Sequence, residues 1–79
     1  MEVDYEAELP PHRQIAAWLQ ARIEGGEWAP GQRIASETDI CQATGVARTT
    51  ARRAIRYLRD TGAVHTVPGR GTYVLGSRR

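Results

Sequence analysis

The 79-residue chain contains no lysine. Its eleven cationic side chains are all arginine, so each is a planar fork able to bond bidentately to phosphate or to a guanine edge, which a lysine ammonium cannot do. Biased coding composition alone can empty a short chain of lysine, but it does not dictate where the arginines fall. Cysteine occurs once, at Cys41. That excludes an internal disulfide, fits a reducing cytoplasm and reads as a small buried apolar residue. No apolar run is long enough to span a bilayer, so no membrane partner is expected. The start MEVDYEAEL lacks the basic and apolar regions of a secretory signal. His12 and His65 stand apart from any cysteine or acid at ligand spacing, so no metal is expected, and nothing calls for a cofactor. There is no nucleophile–base pair, no paired carboxylates beside an apolar pocket and no Gly-x-x-x-x-Gly-Lys loop, so no catalytic residue is assigned and the chain does not read as an enzyme.

What is present is a divided charge. Residues 1–39 carry eight acids and three arginines, a net −5, whereas residues 40–79 carry one acid, Asp60, and eight arginines, a net +7, which together give the overall +2. Such asymmetry points to a polyanion as the partner of the basic half. The densest stretch is GVARTTARRAIRYLRDTG, with five arginines and one acid.

The chain divides into an acidic, flexible leader at 1–9, one domain at 10–76 and a basic tail at 77–79. After Pro10-Pro11, the segment HRQIAAWLQARIEGG spaces Ile15, Trp18, Leu19 and Ile23 as one helical stripe. Pro30-Gly31 suits a type II turn, with Trp28 folding back on the core and a very short strand over Gln32 to Ala35. Ser36 with Asp39 three residues on resembles a capping box and opens a helix from Glu37 to Thr44, with Ile40 and Ala43 facing inward. Gly45 ends it, and a third helix runs from about Ala47 to Thr61 on a core stripe of Ala51, Ala54, Ile55 and Leu58. On a wheel of roughly 100° per residue, Arg48, Arg52, Arg56 and Arg59 fall within about 80° of one another beside that stripe. Val64–Val67 and Thr72–Leu75, joined by Pro68-Gly69-Arg70-Gly71, read as a β-hairpin. The expected fold is mainly α with a small β-hairpin: a winged helix-turn-helix of three helices plus a wing.

Two helices joined by a tight turn, the second basic on its open side, form the layout in which the second helix lies in a DNA major groove. Its first residues reach base edges, so Arg48, Thr49 and Arg52 are candidates for base reading. Thr50 points away from Arg48, toward DNA backbone or the core. Arg53 and Arg56 are placed to meet phosphates, and Arg59 lies far along the helix. Ser36 offers its hydroxyl and a helix N-terminus to a phosphate. Gly69 and Gly71 allow close backbone approach, and Arg70 at the hairpin tip suits a minor groove. Arg22 and Arg33 read as solvated surface. Glu37 or Asp39 could supply one or two pairs to Arg48 and Arg52, but acids are too few on this half to occupy the row, which favours DNA as its partner.

The ordered set RQIAAWLQARIEGGEWAPG, IASE, GVARTTAR and GRGTYV, from about Pro10 to Leu75, resembles the DNA-binding domain of GntR-family transcription regulators. The resemblance implies that Arg48 and Arg52 contact DNA, that Thr49 and Thr50 lie near bases or backbone, and that Gly69 and Arg70 seat the wing in the minor groove. It implies double-stranded DNA as partner, with a homodimer on inverted half-sites as one mode of binding. Ala47 stands where the family has serine or threonine, removing a helix cap; Ala35 replaces a proline, His12 a common tyrosine and Ala51 a valine. The family's C-terminal effector and dimerisation domain has no counterpart within these residues, so no small-molecule effector domain is expected in this chain. The alternative is a winged-helix module used for protein–protein contact, since fold alone does not determine function.

Overall fold

The computed structural model of the chain describes residues 1–75. The basic tail expected at 77–79 and the last residue of the 10–76 domain lie outside the described residues. Helix α1 (Pro11–Glu24) opens behind an extended Pro10, where proline's missing N–H is not needed. It ends in paired bonds, Glu27 N–H to the Arg22 carbonyl and Gly26 N–H to the Ile23 carbonyl, each 3.0 Å, which satisfy two of its last carbonyls. Ile15 and Leu19 of the expected stripe are completely buried, and Ala16 joins them. Trp18 and Ile23 sit at the core's edge. Trp28 does fold back: the Arg22 guanidinium lies 4.8 Å from the Trp18 ring centroid and 4.5 Å from that of Trp28.

Gln32 N–H closes the Pro30-Gly31 turn on the Ala29 carbonyl at 2.9 Å. The strand expected over Gln32–Ala35 contracts to one bridge, Arg33 with Tyr73. The chain must break from extended pairing to cap the next helix at Ser36. Helix α2 (Glu37–Thr44) has the full capping box: Ser36 Oγ accepts the Asp39 N–H and Asp39 Oδ2 accepts the Ser36 N–H, both at 3.0 Å. Ile40 is completely buried, but Ala43 is exposed, contrary to expectation. In so short a helix one turn faces the core. Thr44, four residues after Ile40, turns inward instead; its hydroxyl donates to the Ile40 carbonyl at 2.7 Å, and Val46 fills the space beyond. Cys41 is half-buried against the core rather than sealed within it. Gly45, at φ 78°, makes the left-handed turn between the two helices that a side chain resists.

Helix α3 (Arg48–Asp60) buries Ala51, Ala54, Ile55 and Leu58 as expected, packing mainly on α1. The Ala63 N–H to Leu58 carbonyl bond at 3.0 Å and the Gly62 N–H to Arg59 carbonyl bond at 3.1 Å end it and turn the chain into the hairpin. Strands β1 (Val64–Val67) and β2 (Gly71–Val74) pair antiparallel from Val64–Val74 to Val67–Gly71. The second strand starts one residue earlier than expected because Gly71 itself pairs across the turn. Gly31 and Ile34 N–H groups donate to the Val74 and Thr72 carbonyls on β2's other edge. Ile15, Leu19, Ile40, Leu58 and Val64 are the largest fully buried side chains, so all three helices and the hairpin share one core. Each contributes about 1.5–3 kcal/mol by leaving water. The leader lies folded at the head of α1: Gln14 Nε2 donates to the Asp4 and Leu9 carbonyls at 2.7 Å, and its Oε1 accepts the Asp4 N–H at 2.9 Å.

Candidate nucleic-acid interface

An open cleft of about 490 Å³ lies between the start of α2, the exposed face of α3 and the hairpin turn. It is lined by Ser36, Arg48, Arg52, Arg56, Gly69 and Arg70, six of the nine residues singled out from sequence. The wheel argument explains the convergence: residues four apart on α3 stack along one side, beside the stripe that holds the helix to the core. Thr49, Thr50 and Arg53 do not line it. Arg53 instead faces a second depression with His12, Tyr57 and Asp60 on the side toward α1, and Arg56 lies between the two. Thr49 is exposed at the first turn of α3, and Thr50 is half-buried.

Of the two acids that the sequence offered as partners for Arg48 and Arg52, the structure uses Glu37 and not Asp39. Glu37, the first residue of α2, accepts from both leading arginines: from Arg48 Nη1 at 3.4 Å and from Arg52 Nε at 3.2 Å and Nη2 at 3.4 Å. Arg48 Nη2 also donates to Thr38 Oγ1 at 3.2 Å. The capping box at Ser36 fixes where α2 begins, and so carries Glu37 to the N-terminal end of α3. The Arg52 hydrogen bond, aided by Arg48, holds the Glu37 carboxyl below its ordinary range, and Glu37 in turn raises Arg52. One carboxylate thus serves two guanidiniums, and the side chains of Arg48 and Arg52 remain 56 % and 54 % exposed. Ion pairs this open to water are weak and readily exchanged. Asp39 is held low chiefly by the Ser36 amide, then by its hydroxyl.

Arg59, set aside in sequence as too far along the helix, lines the cleft and donates to Thr66 Oγ1 on β1 at 3.2 Å. Thr66 is in turn 3.4 Å from Thr72 Oγ1, so α3 and the hairpin are joined by side chains as well as by the chain. The signal was available: on the wheel Arg59 falls between Arg48 and Arg52, and the hairpin folds back over the helix's later turns. Glu37 was read from sequence only as an acid able to pair with Arg48 or Arg52, and Thr38 was not singled out, because what matters is its place opposite α3. At the tip, Arg70 is exposed, and its N–H donates to the Val67 carbonyl at 2.9 Å.

Residues 9–74 match the model of the bacterial regulatory proteins, gntR family. The chain belongs to that family. It is 36 % identical over 69 residues to the mannosyl-D-glycerate transport/metabolism system repressor MngR of Escherichia coli (strain K12), covering 87 % of this chain and 29 % of that protein. To the HTH-type transcriptional repressor NagR of Bacillus subtilis (strain 168) it is 31 % identical over 74 residues, covering 94 % of this chain and 30 % of the relative. The chain therefore spans under a third of the length of these two curated relatives. Among solved structures, AraR(DBD) in complex with operator ORR3 superposes with a TM-score of 0.82 at 35 % identity, covering 91 % of this chain and 87 % of the other. YtrA from Sulfolobus acidocaldarius, a GntR-family transcription factor, gives 0.78 at 30 % identity, over all of this chain and 66 % of its own. The winged helix-turn-helix expected from sequence is the fold that this chain has. No helix among the described residues is long and apolar enough to cross a membrane.

Proposed function

We propose that this gntR-family domain binds double-stranded DNA sequence-selectively, as the reading head of a bacterial transcription regulator. The observation that carries the reading is the cleft: five arginines, Arg48, Arg52, Arg56, Arg59 and Arg70, against one acid, Glu37, on a face framed by a helix and a hairpin tip. Family relatives that are repressors, and a similar domain solved on an operator, support it.

In this reading α3 enters the major groove. Arg48 and Arg52 exchange the Glu37 carboxylate for guanine edges, with Thr49 and Thr50 at bases or backbone. Arg53 and Arg56 meet phosphates, Ser36 and the start of α2 meet another, and Gly69 and Arg70 take the wing to the minor groove. Each bidentate arginine–guanine contact is worth about 1–3 kcal/mol of discrimination. The protein acts in the cytoplasm without catalysis, by occluding a promoter or competing for an operator, and two copies occupy inverted half-sites.

Selection of bound sequences from a random duplex pool, followed by a salt series, tests this. The expected result is an enriched motif, with inverted repeats reporting two copies, and affinity that falls steeply with salt, by about 0.9 in log–log slope per phosphate met. No enrichment and no binding even at low salt would refute it.

A further inference from the structure

We propose that Arg33 is the positioning residue of the wing, setting the direction in which Arg70 leaves the hairpin. This rests on the wing's place in DNA reading proposed above. Arg33 lies 37 positions before the turn, yet its side chain reaches it. The backbone of Arg33 bridges to Tyr73 on the edge of β2 away from β1, and its Nη1 donates to the Arg70 carbonyl at 3.3 Å. Arg70 is thus held through the peptides on both its sides: its N–H by the Val67 carbonyl at 2.9 Å, its C=O by Arg33.

Gly71 reveals how closely the two are fitted. Its φ is 134°, and a Cβ there would lie 2.7 Å from Arg33 Cδ and 3.3 Å from Cγ. The aliphatic stem of Arg33 occupies the space that glycine leaves. Gly71 therefore makes room for the Arg33 stem, and Arg33, exposed as expected from sequence, also serves as a strut. Among the described residues Arg33 forms no salt bridge; its nearby acid, Asp39, feels its charge but is hydrogen-bonded to Ser36.

The test is a double-mutant cycle on the full chain with a selected duplex, using Arg33→Ala, Arg33→Met, Arg70→Ala and Arg33→Ala/Arg70→Ala. Amide exchange at Arg70 and Gly71 is read in the free protein. Arg33→Met keeps the stem and loses the donor and the charge. Loss of one hydrogen bond's ordering should weaken binding roughly 2- to 10-fold in either single Arg33 variant. The double variant should bind no more weakly than Arg70→Ala, and exchange at Arg70 and Gly71 should quicken. Additive losses with unchanged exchange would overturn the proposal and make Arg33 a DNA contact in its own right. If Arg70→Ala binds like the wild type, the wing has no part in DNA reading, and exchange alone then decides whether Arg33 holds the turn.

Discussion

Replacing Ala47 by serine should stabilise the domain, and α2 supplies the template for how much. Ala47 is the N-cap of α3, with φ −68° and ψ 156° and no side-chain cap. Ser36, the N-cap of α2, has φ −78° and ψ 171°, and its hydroxyl accepts the Asp39 N–H at 3.0 Å. The two backbones are close enough that a serine at 47 places its Oγ over the first turn of α3 in the same way. The equivalent amide is that of Thr50, which already turns back to the Ala47 carbonyl at 3.0 Å. Thr50 also has no carboxylate to return the bond as Asp39 does. The gain therefore belongs in the lower half of the usual capping range, about 0.5–1 kcal/mol. For a domain of this size that is a rise of roughly 2–8 °C in melting temperature. Thermal unfolding followed by circular dichroism measures it, with Ser36→Ala as the reciprocal control. Ser36→Ala should lose at least as much as Ala47→Ser gains, since it leaves the Asp39 N–H without its acceptor, while the Asp39 carboxylate keeps the backbone N–H of residue 36. If Ser36→Ala lowers the midpoint while Ala47→Ser leaves it unmoved, the start of α3 is already satisfied and the capping argument fails.

Other substitutions separate roles within the cleft. Arg52→Ala should weaken binding and relax base preference at one position, by about 1–3 kcal/mol of discrimination; unchanged affinity and preference in a competition assay would count against its groove position. Arg53→Ala should weaken all duplexes alike and lower the salt slope by about 1. Glu37→Gln removes the one acid facing the cleft, so non-specific binding at low salt should tighten; weaker binding would mean that Glu37 is needed to aim the arginines rather than to balance them. In acid, the Glu37 and Asp39 carboxyls bind protons less readily folded than unfolded, because both are held below their ordinary values of 4.5 and 3.8. Their stabilisation is complete above those values and is lost as pH falls through the lowered ones, so melting temperature against pH should fall only below about 4.5, less steeply in Glu37→Gln.

Local chemistry was what the sequence made legible. The capping box at Ser36, the glycine turn at 45, the α3 stripe and the hairpin all depend on neighbours within a few positions, and each was read to within a residue or two. The wheel put Arg48, Arg52 and Arg56 together for the same reason. Contacts between distant segments were harder to see. Glu37 meets Arg52 across 15 positions, a pairing that the sequence left open between Glu37 and Asp39, and Arg33 meets Arg70 across 37, which no periodicity encodes. Arg59 was misplaced because its distance along the helix was weighed without the hairpin that folds back to it. Ala43 was assigned to the core by spacing alone, in a helix too short to bury a second turn.

The hairpin divides sharply between root and tip. Val64, Thr72 and Val74 are sealed in the core, whereas Pro68, Gly69 and Arg70 stand in solvent. Pro68 and Arg70 can therefore be exchanged with little effect on folding, whereas Gly69, at φ 76°, resists a side chain, so the reach of the domain along a duplex is a quantity that evolution or an engineer can tune around one fixed glycine, largely apart from its stability.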